Sequence, residues 1–344
     1  MAEVIQIKYD DQECFNQNFD ANHQSLVIGD NELVASWLLY NTDPDLYLSV
    51  LEDFKQTQYE DLKQSVYDQY PSAIAYNFRQ SERGEGSADP VRKLLHLKDT
   101  WESIIFILYA IVCGEVRKNA IDLTTVDICV GGSLKKFNSS YLMTDALKLK
   151  IENIRGIIKY SIANSLNLKC ETIEESLLDD LFSLQDIRND ISHHAAPTRE
   201  QAEEELRTVI PLFEVMLAKT KFLEECAILR FNSLTDRFRC EVYNGHALNK
   251  EYENFNFQDI AYVTSLGQEQ LFVLWDENIF SLSPFLHFIV DQTGHESYLC
   301  PYKYKRSSKY WYEPVKLRTE VCFDTLQERF ESEKDKLLNI TATN

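Results

Sequence analysis

Glycine and proline are scarce in this sequence, with 10 and 8 copies among 344 residues. So few chain-breaking residues leave little room for long flexible linkers, and the length fits two or three compact domains. Hydrophobic residues make up 44% of the chain and aromatic residues 12%. This composition excludes intrinsic disorder, collagen and coiled coil, and it predicts a helix-rich globular protein with a sizeable core.

Long apolar runs, paired cysteines and common cofactor motifs are also missing. The longest apolar run, residues 104–113, is about half of the roughly 20 residues that cross a bilayer, so we expect a buried helix and no membrane partner. The eight cysteines are widely spaced without a CxxC pair, and the N-terminus has no signal-peptide pattern, which predicts reduced thiols in a cytoplasmic protein. Because Walker, GxGxxG, HExxH and GxSxG motifs are all missing, we expect no cofactor and no metal site.

Positive charge is in short supply, since 55 acidic residues face 35 basic ones and the net charge is −20. Such a chain repels naked nucleic acid at long range unless basic groups cluster locally, which excludes a general DNA-coating role. The acidity is concentrated in residues 1–88, which hold 16 acidic and 5 basic residues. We interpret this stretch as a solvated regulatory or partner-binding module.

Changes in pattern along the chain predict three domains. A polar break, SERGEGSADP at residues 81–90, places one boundary near residue 88, and a change from helical to alternating periodicity places another near residue 225. We predict an acidic helical module over residues 1–88, a four-helix bundle over 89–225, and an antiparallel β domain with a closing helix over 226–344. The predicted fold class is therefore mainly α, an antiparallel four-helix bundle with a small β domain.

Local signals predict where the helices and strands lie. Asp89 followed by Pro90 is typical of the cap and first residue of a helix, here over about 90–117, and a second apolar stripe predicts a helix over about 145–166. Capping boxes at Thr172 with Glu175 and at Thr198 with Gln201 predict the third and fourth helices, the fourth kinked at Pro211 and reaching about residue 225. Strands are predicted at residues 226–231, 239–243, 260–264, 270–275, 279–285 and 298–304, and a final helix at about 319–338.

The end of the third predicted helix carries the most informative segment, in which Arg188 precedes His193 by five positions. Arg188 falls on the same helix face as Leu181 and Leu184. A guanidinium on that face is either buried against a carboxylate, for which Glu102 is a candidate, or lines a groove that binds an anion. The residues alone leave both interpretations open.

An Arg-Asn-x3-His motif ending the third helix, after a first helix reading PVRKLLHLKDTWESIIFILYAIV, resembles the HEPN superfamily over about residues 89–225. The resemblance implies a metal-independent endoribonuclease, usually a homodimer whose two motifs face one cleft, and often a toxin or antiviral effector that destroys cellular RNA. Arg188, Asn189 and His193 match the motif positions, and His194 is an additional neighbour. Many family members are inactive and serve as scaffolds or nucleotide-binding modules.

These residue types fit RNA cleavage, because RNA supplies its own nucleophile in the 2′-hydroxyl. His193 could accept or donate a proton near neutral pH, and Arg188 presents a permanently charged fork that matches phosphate oxygens. Asn189 could orient either group. In a regular helix His193 would be rotated about 140° from Arg188, so we expect either that the helix ends near Ser192 or that a second subunit completes the cleft.

A second candidate region combines basic and aromatic residues in YKYKRSSKYWY, residues 302–312. Lys303, Lys305, Arg306 and Lys309 on a predicted hairpin could follow RNA phosphates while the rings stack on bases. Alternation in a sheet would instead bury the aromatic rings and leave the lysines in water.

The sequence therefore predicts a cytoplasmic HEPN-type endoribonuclease, a toxin or antiphage-defence effector whose partners are RNA, a second copy of the chain and an antitoxin or defence-complex protein. The alternative is a catalytically inactive HEPN protein that binds a nucleotide or a protein of a defence complex.

Overall fold

A computed structural model describes residues 26–28, 31–33, 43–193, 197–234, 238–266, 269–317 and 319–338. The chain divides by packing into two units, Met1–Gln64 and Ser65–Asn344. In the first unit, strands β1 (Leu26–Ile28) and β2 (Asn31–Leu33) pair antiparallel. Helix α1 (Pro44–Gln69) begins in the first unit and ends in the second. The domain boundaries near residues 88 and 225 stay predictions.

The helices of the second unit begin largely where the local signals place them. They are α2 (Ser72–Glu82), α3 (Pro90–Lys118), α4 (Ser139–Leu142), α5 (Leu147–Ala163), α6 (Glu175–His193) and α7 (Arg199–Lys219). Asp89 accepts hydrogen bonds from the backbone N–H groups of Val91 and Arg92, which confirms the predicted cap. The capping box of Thr198 with Gln201 is also confirmed. The box at Thr172 is wrong, because its hydroxyl donates to the Lys169 carbonyl oxygen within a 3-10 turn that precedes α6.

A small hairpin covers one side of α5. Its strands are β3 (Asp127–Val130) and β4 (Ser133–Lys136). Gly156 allows the close approach, since a Cβ atom there would lie 2.7 Å from the carbonyl oxygen of Asp127.

Nine further strands form two antiparallel sheets in the described part of residues 226–322. The first sheet has the order β7-β6-β5-β8-β9 and contains β5 (Cys226–Leu234), β6 (Phe238–Val242), β7 (Glu251–Phe255), β8 (Leu271–Trp275) and β9 (Asn278–Ser281). The second has the order β10-β11-β12-β13 and contains β10 (Leu286–Val290), β11 (Ser297–Arg306), β12 (Lys309–Tyr312) and β13 (Val321–Cys322).

Two helices accompany these sheets. The strand predicted at residues 260–264 is wrong, because Ile260–Leu266 forms helix α8 and buries Val263 and Leu266 against the first sheet. These two side chains are three positions apart and share a helix face, a pattern that five residues are too short to distinguish from alternation. Helix α9 (Asp324–Leu337) follows β13 and buries Leu326 and Phe330.

The predicted fold class is wrong. The structure is mixed, 54% helical and 22% strand, and helices and sheets share one core in place of a mainly α four-helix bundle with a small β domain. Helix α3 shows the reason, because buried residues occur all round it from Leu94 to Val116. A helix buried on every side needs more cover than three helices give. Strand β9 provides part of it, and the Cβ of an alanine at Gly114 would lie 2.5 Å from the Ser281 carbonyl oxygen.

Candidate functional site

The predicted catalytic motif lies in the last turns of α6, whose first half is fixed in the core. Leu177 and Leu181 are completely buried, and the indole Nε1 of Trp101 donates a 3.1 Å hydrogen bond to the Leu181 carbonyl oxygen. The helix continues through Arg188 and Asn189 and has His193 as its last residue. The side chains of these three residues, and the whole of His194, lie outside the described part of the structure.

The continuity of α6 determines the spacing of the motif along the backbone. Positions 188 and 193 both belong to the helix, so they are about 140° apart around its axis and about 7.5 Å apart along it. Since position 193 is still helical, the separation of about 140° expected for a regular helix applies to this pair of positions.

Two of the other predicted site residues, Glu102 of α3 and Lys303 of β11, line the same small cleft. The Nζ atom of Lys98 lies 3.9 Å from the nearest Glu102 carboxylate oxygen, and Lys303 forms an ion pair with Glu313. Burial is the largest single effect and disfavours the charge on Lys303, but the hydrogen bond to Glu313 and the charges of the nearby carboxylates together outweigh it and raise the pKa of the lysine. Two lysines and three carboxylates therefore line this cleft.

The size of the cleft limits what it can hold. Its cavity volume is about 70 Å³, which is room for a few water molecules, whereas sites that enclose a nucleotide-sized ligand are several times larger. The cleft brings Glu102 and Lys303 together without forming an enclosed site for RNA.

The basic aromatic segment forms the predicted hairpin of β11 and β12. Tyr302, Tyr310 and Tyr312 are at most 2% exposed. The ring of Phe330 from α9 stacks on Tyr310 with centroids 4.1 Å apart. These rings pack in the core, as expected if residues alternate between the two faces of the sheet and the aromatic face is buried.

The cations of the hairpin point outward and have partners. Lys303 pairs with Glu313, Lys305 with Glu331, and Lys309 lies 3.6 Å from Asp324, while Arg306 hydrogen-bonds to Tyr304. Partial burial alone would raise the pKa of Glu331. Hydrogen bonds from Lys305, Lys334 and Tyr310 outweigh that effect and lower the pKa of this carboxyl to about 2. Acidic side chains of α9 thus occupy cations that RNA phosphates would need.

Sequence analysis missed the buried ammonium of Lys150 on α5. Lys150 is 0% exposed, and its Nζ donates to the Thr144 carbonyl oxygen at 2.6 Å. The same atom lies 4.7 Å from the ring centroid of Tyr109 and 5.2 Å from that of Tyr302. Burial lowers the pKa of Lys150 to about 8. Its position three residues after Leu147, on the apolar stripe of α5, was the signal that could have revealed it.

Comparison with known proteins adds no assignment. The chain matches no protein-family model, and no curated protein or solved structure is significantly similar to it. Within the described part of the chain, every helix is too short or too polar to span a membrane.

Proposed function

We propose that this chain is a metal-independent endoribonuclease of the HEPN type, in which Arg188, Asn189 and His193 cleave RNA. The observation that supports the proposal is the position of these residues in the last turns of α6, a helix anchored in the core through Trp101 and Leu181. An anchored helix holds the backbone of the motif at fixed spacing, as catalytic groups require.

The proposed reaction is attack of the RNA 2′-hydroxyl on the adjacent phosphate. His193 takes the hydroxyl proton, and Arg188 stabilises the negative charge on the phosphorane. The bond from phosphorus to the 5′-oxygen of the next nucleotide then breaks, and this oxygen takes a proton from solvent water as it leaves. Asn189 orients one of these groups. The products carry a 2′,3′-cyclic phosphate and a 5′-hydroxyl.

The spacing within α6 supports a site that two copies of the chain share. A base and a cation about 140° apart around one helix do not converge on one phosphate as readily as residues from two facing helices. We therefore propose a homodimer as the active form. The seven cysteines that the structure describes are free thiols, which supports the proposed location in the cytoplasm, where a toxin or antiphage effector would meet its RNA.

The test is induced expression followed by a denaturing gel of total RNA, and then assays of purified variants. Wild-type protein should cleave RNA in excess EDTA, and His193→Ala should abolish cleavage while the melting temperature changes by no more than a few degrees. The matched control is His295→Ala, because His295 is an exposed histidine in the turn between β10 and β11. Full activity of purified His193→Ala, or products with 3′-hydroxyl ends, would contradict the proposal.

The second candidate function is an inactive HEPN protein that binds a nucleotide or a protein partner. The ion pairs on the β11–β12 hairpin favour it, because Lys303, Lys305 and Lys309 already have acidic partners and the chain carries a net charge of −20. Intact RNA and normal growth after expression of the wild-type chain, with the dimer present in light scattering, would support this second function.

A further inference from the structure

Two buried polar side chains lie where β9 leads into β10, Ser283 in the connecting segment and His287 within β10. Ser283 is 1% exposed and His287 is 8% exposed. Neither the Ser283 Oγ nor the His287 Nδ1 has a hydrogen-bond partner among the described residues. One tight turn separates the two, closed by the bond from the Leu286 N–H to the Leu282 carbonyl oxygen. Buried polar groups without partners are rare in folded proteins, so each one needs a physical explanation.

A third group near His287 is Arg329 of α9, whose charge acts on that histidine. Arg329 is half-buried, and it makes no hydrogen bond or ion pair with any residue that the structure describes. Its charge acts on His287, since burial and then the charges of Arg329 and Arg230 lower the pKa of that histidine to about 4. Arg230 is itself balanced by an ion pair with the buried Glu241, so the uncompensated charge near His287 is that of Arg329.

Positive groups outnumber negative ones on this side of α9. Arg117 of α3 lies 2.8 Å from the Glu333 carboxylate and donates to the Ser283 and Ser281 carbonyl oxygens at 2.7 and 3.0 Å. Lys336 lies 3.0 Å from the same Glu333. The carboxylate of Glu333 thus contacts two cations. Arg329 interacts with the charges of Glu333 and Glu269 only at longer range. In so acidic a chain, this local excess of positive charge is unusual.

We propose that Ser283, His287 and Arg329 form a binding site for a tetrahedral oxyanion, a phosphate group. One such anion offers several acceptor oxygens at once, so a single ligand can accept from the Ser283 hydroxyl, the His287 ring N–H and the Arg329 guanidinium. A guanidinium presents donors in a fork that fits two phosphate oxygens. Arg117 forms a positive wall beside the site and stays bound to Glu333. The site lies beyond the RNA cleavage motif and does not depend on the proposed function.

The test measures binding of inorganic phosphate to the full chain by calorimetry and by the rise in melting temperature, against potassium chloride at equal ionic strength. We expect phosphate to stabilise the protein and chloride not to do so. Arg329→Gln should weaken phosphate binding at least tenfold, whereas the control Arg207→Gln, at an arginine with a 76% exposed side chain, should bind like the wild type. Bound phosphate should also raise the pKa of His287, which a titration followed by NMR measures.

Two further experiments determine whether the phosphate group belongs to a nucleotide, and control for a variant that does not fold. If adenosine monophosphate binds at least tenfold more tightly than inorganic phosphate, and if Arg329→Gln removes this extra affinity, the ligand of the site is a nucleotide. Equal affinities of the two compounds mean that the ligand is free phosphate.

If Arg329→Gln does not fold, Ser283→Ala should still weaken phosphate binding, because it removes one donor from a packed turn. Equal stabilisation by phosphate and chloride, or wild-type phosphate affinity in the folded variants, would overturn the proposal. His193→Ala should leave phosphate binding unchanged, which separates this site from the cleavage motif.

Discussion

Lys150 shows how one buried charge controls stability. Its pKa is about 8 in the folded chain against an ordinary value of 10.5, so folding disfavours the ammonium. The destabilisation is fully present below about pH 8 and disappears as the pH rises toward 10.5. Lys150→Met should therefore be more stable than the wild type near pH 7, with an advantage that shrinks by about 2 kcal/mol by about pH 9.5.

Urea denaturation of both proteins at the two pH values measures this difference, because other titrating groups are common to both chains. Cys113, whose pKa burial raises to about 12, stays neutral over this range. A stability difference that does not change with pH would show that the ring faces of Tyr109 and Tyr302 fully compensate the charge in the folded state.

Arg188 provides a residue-scale test of the proposed chemistry. Arg188→Lys keeps the positive charge but replaces a planar fork with a single ammonium, which cannot donate two parallel hydrogen bonds to a phosphorane. The rate of RNA cleavage at saturating substrate should fall by about 100-fold. The same exchange at the exposed Arg199 serves as the control. Equal rates in Arg188→Lys and wild type would mean that Arg188 acts only through its charge.

At the scale of elements, Gly114 is where helix and sheet meet most closely. Gly114→Ala would place a methyl group 2.5 Å from the Ser281 carbonyl oxygen of β9. Alanine gains about 1 kcal/mol of helix propensity, but overpacking of this kind costs about 1 to 3 kcal/mol. We expect a net loss of up to about 2 kcal/mol in the free energy of unfolding, measured in urea, whereas Thr208→Ala on the exposed face of α7 should change it little. A gain in stability would show that β9 can move away from α3.

Elements with a local signal were predicted well, and those without one were not. The cap at Asp89 and the box at Thr198 need only side chains within three residues of the helix start, so the sequence contains everything that determines them. The turn before α6 depends on Glu115 of α3, whose carboxylate accepts from the Lys169 and Cys170 backbone N–H groups across more than 50 residues. No local pattern shows such a partner. The same distinction applies to the candidate site. Alternation of residue types predicts the hairpin, but it does not predict the ion pair between Lys305 of the hairpin and Glu331 of α9.

At the scale of the whole molecule, the predicted fold class, a four-helix bundle with a small β domain, fails to describe the core. Buried residues occur all round α3, yet which elements cover them depends on contacts distant in sequence. The bond from the Arg117 guanidinium to the Ser283 carbonyl oxygen joins residues 166 positions apart. Such long-range contacts cannot be recognised from the hydrophobic periodicity of either segment. A bundle of four helices was therefore the simplest fold that the pattern predicted.

This shared core predicts that the helical and strand-rich parts of residues 65–344 unfold together. Trp101 of α3 and Trp275 of β8 are both at most 2% exposed and serve as probes of the two parts, when fluorine-labelled tryptophan gives each indole its own NMR signal in the same protein. Because α3 packs on both helices and β9, the urea transitions seen at Trp101 and Trp275 should have the same midpoint and slope. Trp101→Phe removes the hydrogen bond to the Leu181 carbonyl oxygen and should also lower the midpoint seen at Trp275 by destabilising the common unit. Two separate midpoints, with the one at Trp275 unaffected by the change at Trp101, would instead mean that the strands fold as an independent domain beginning near residue 226.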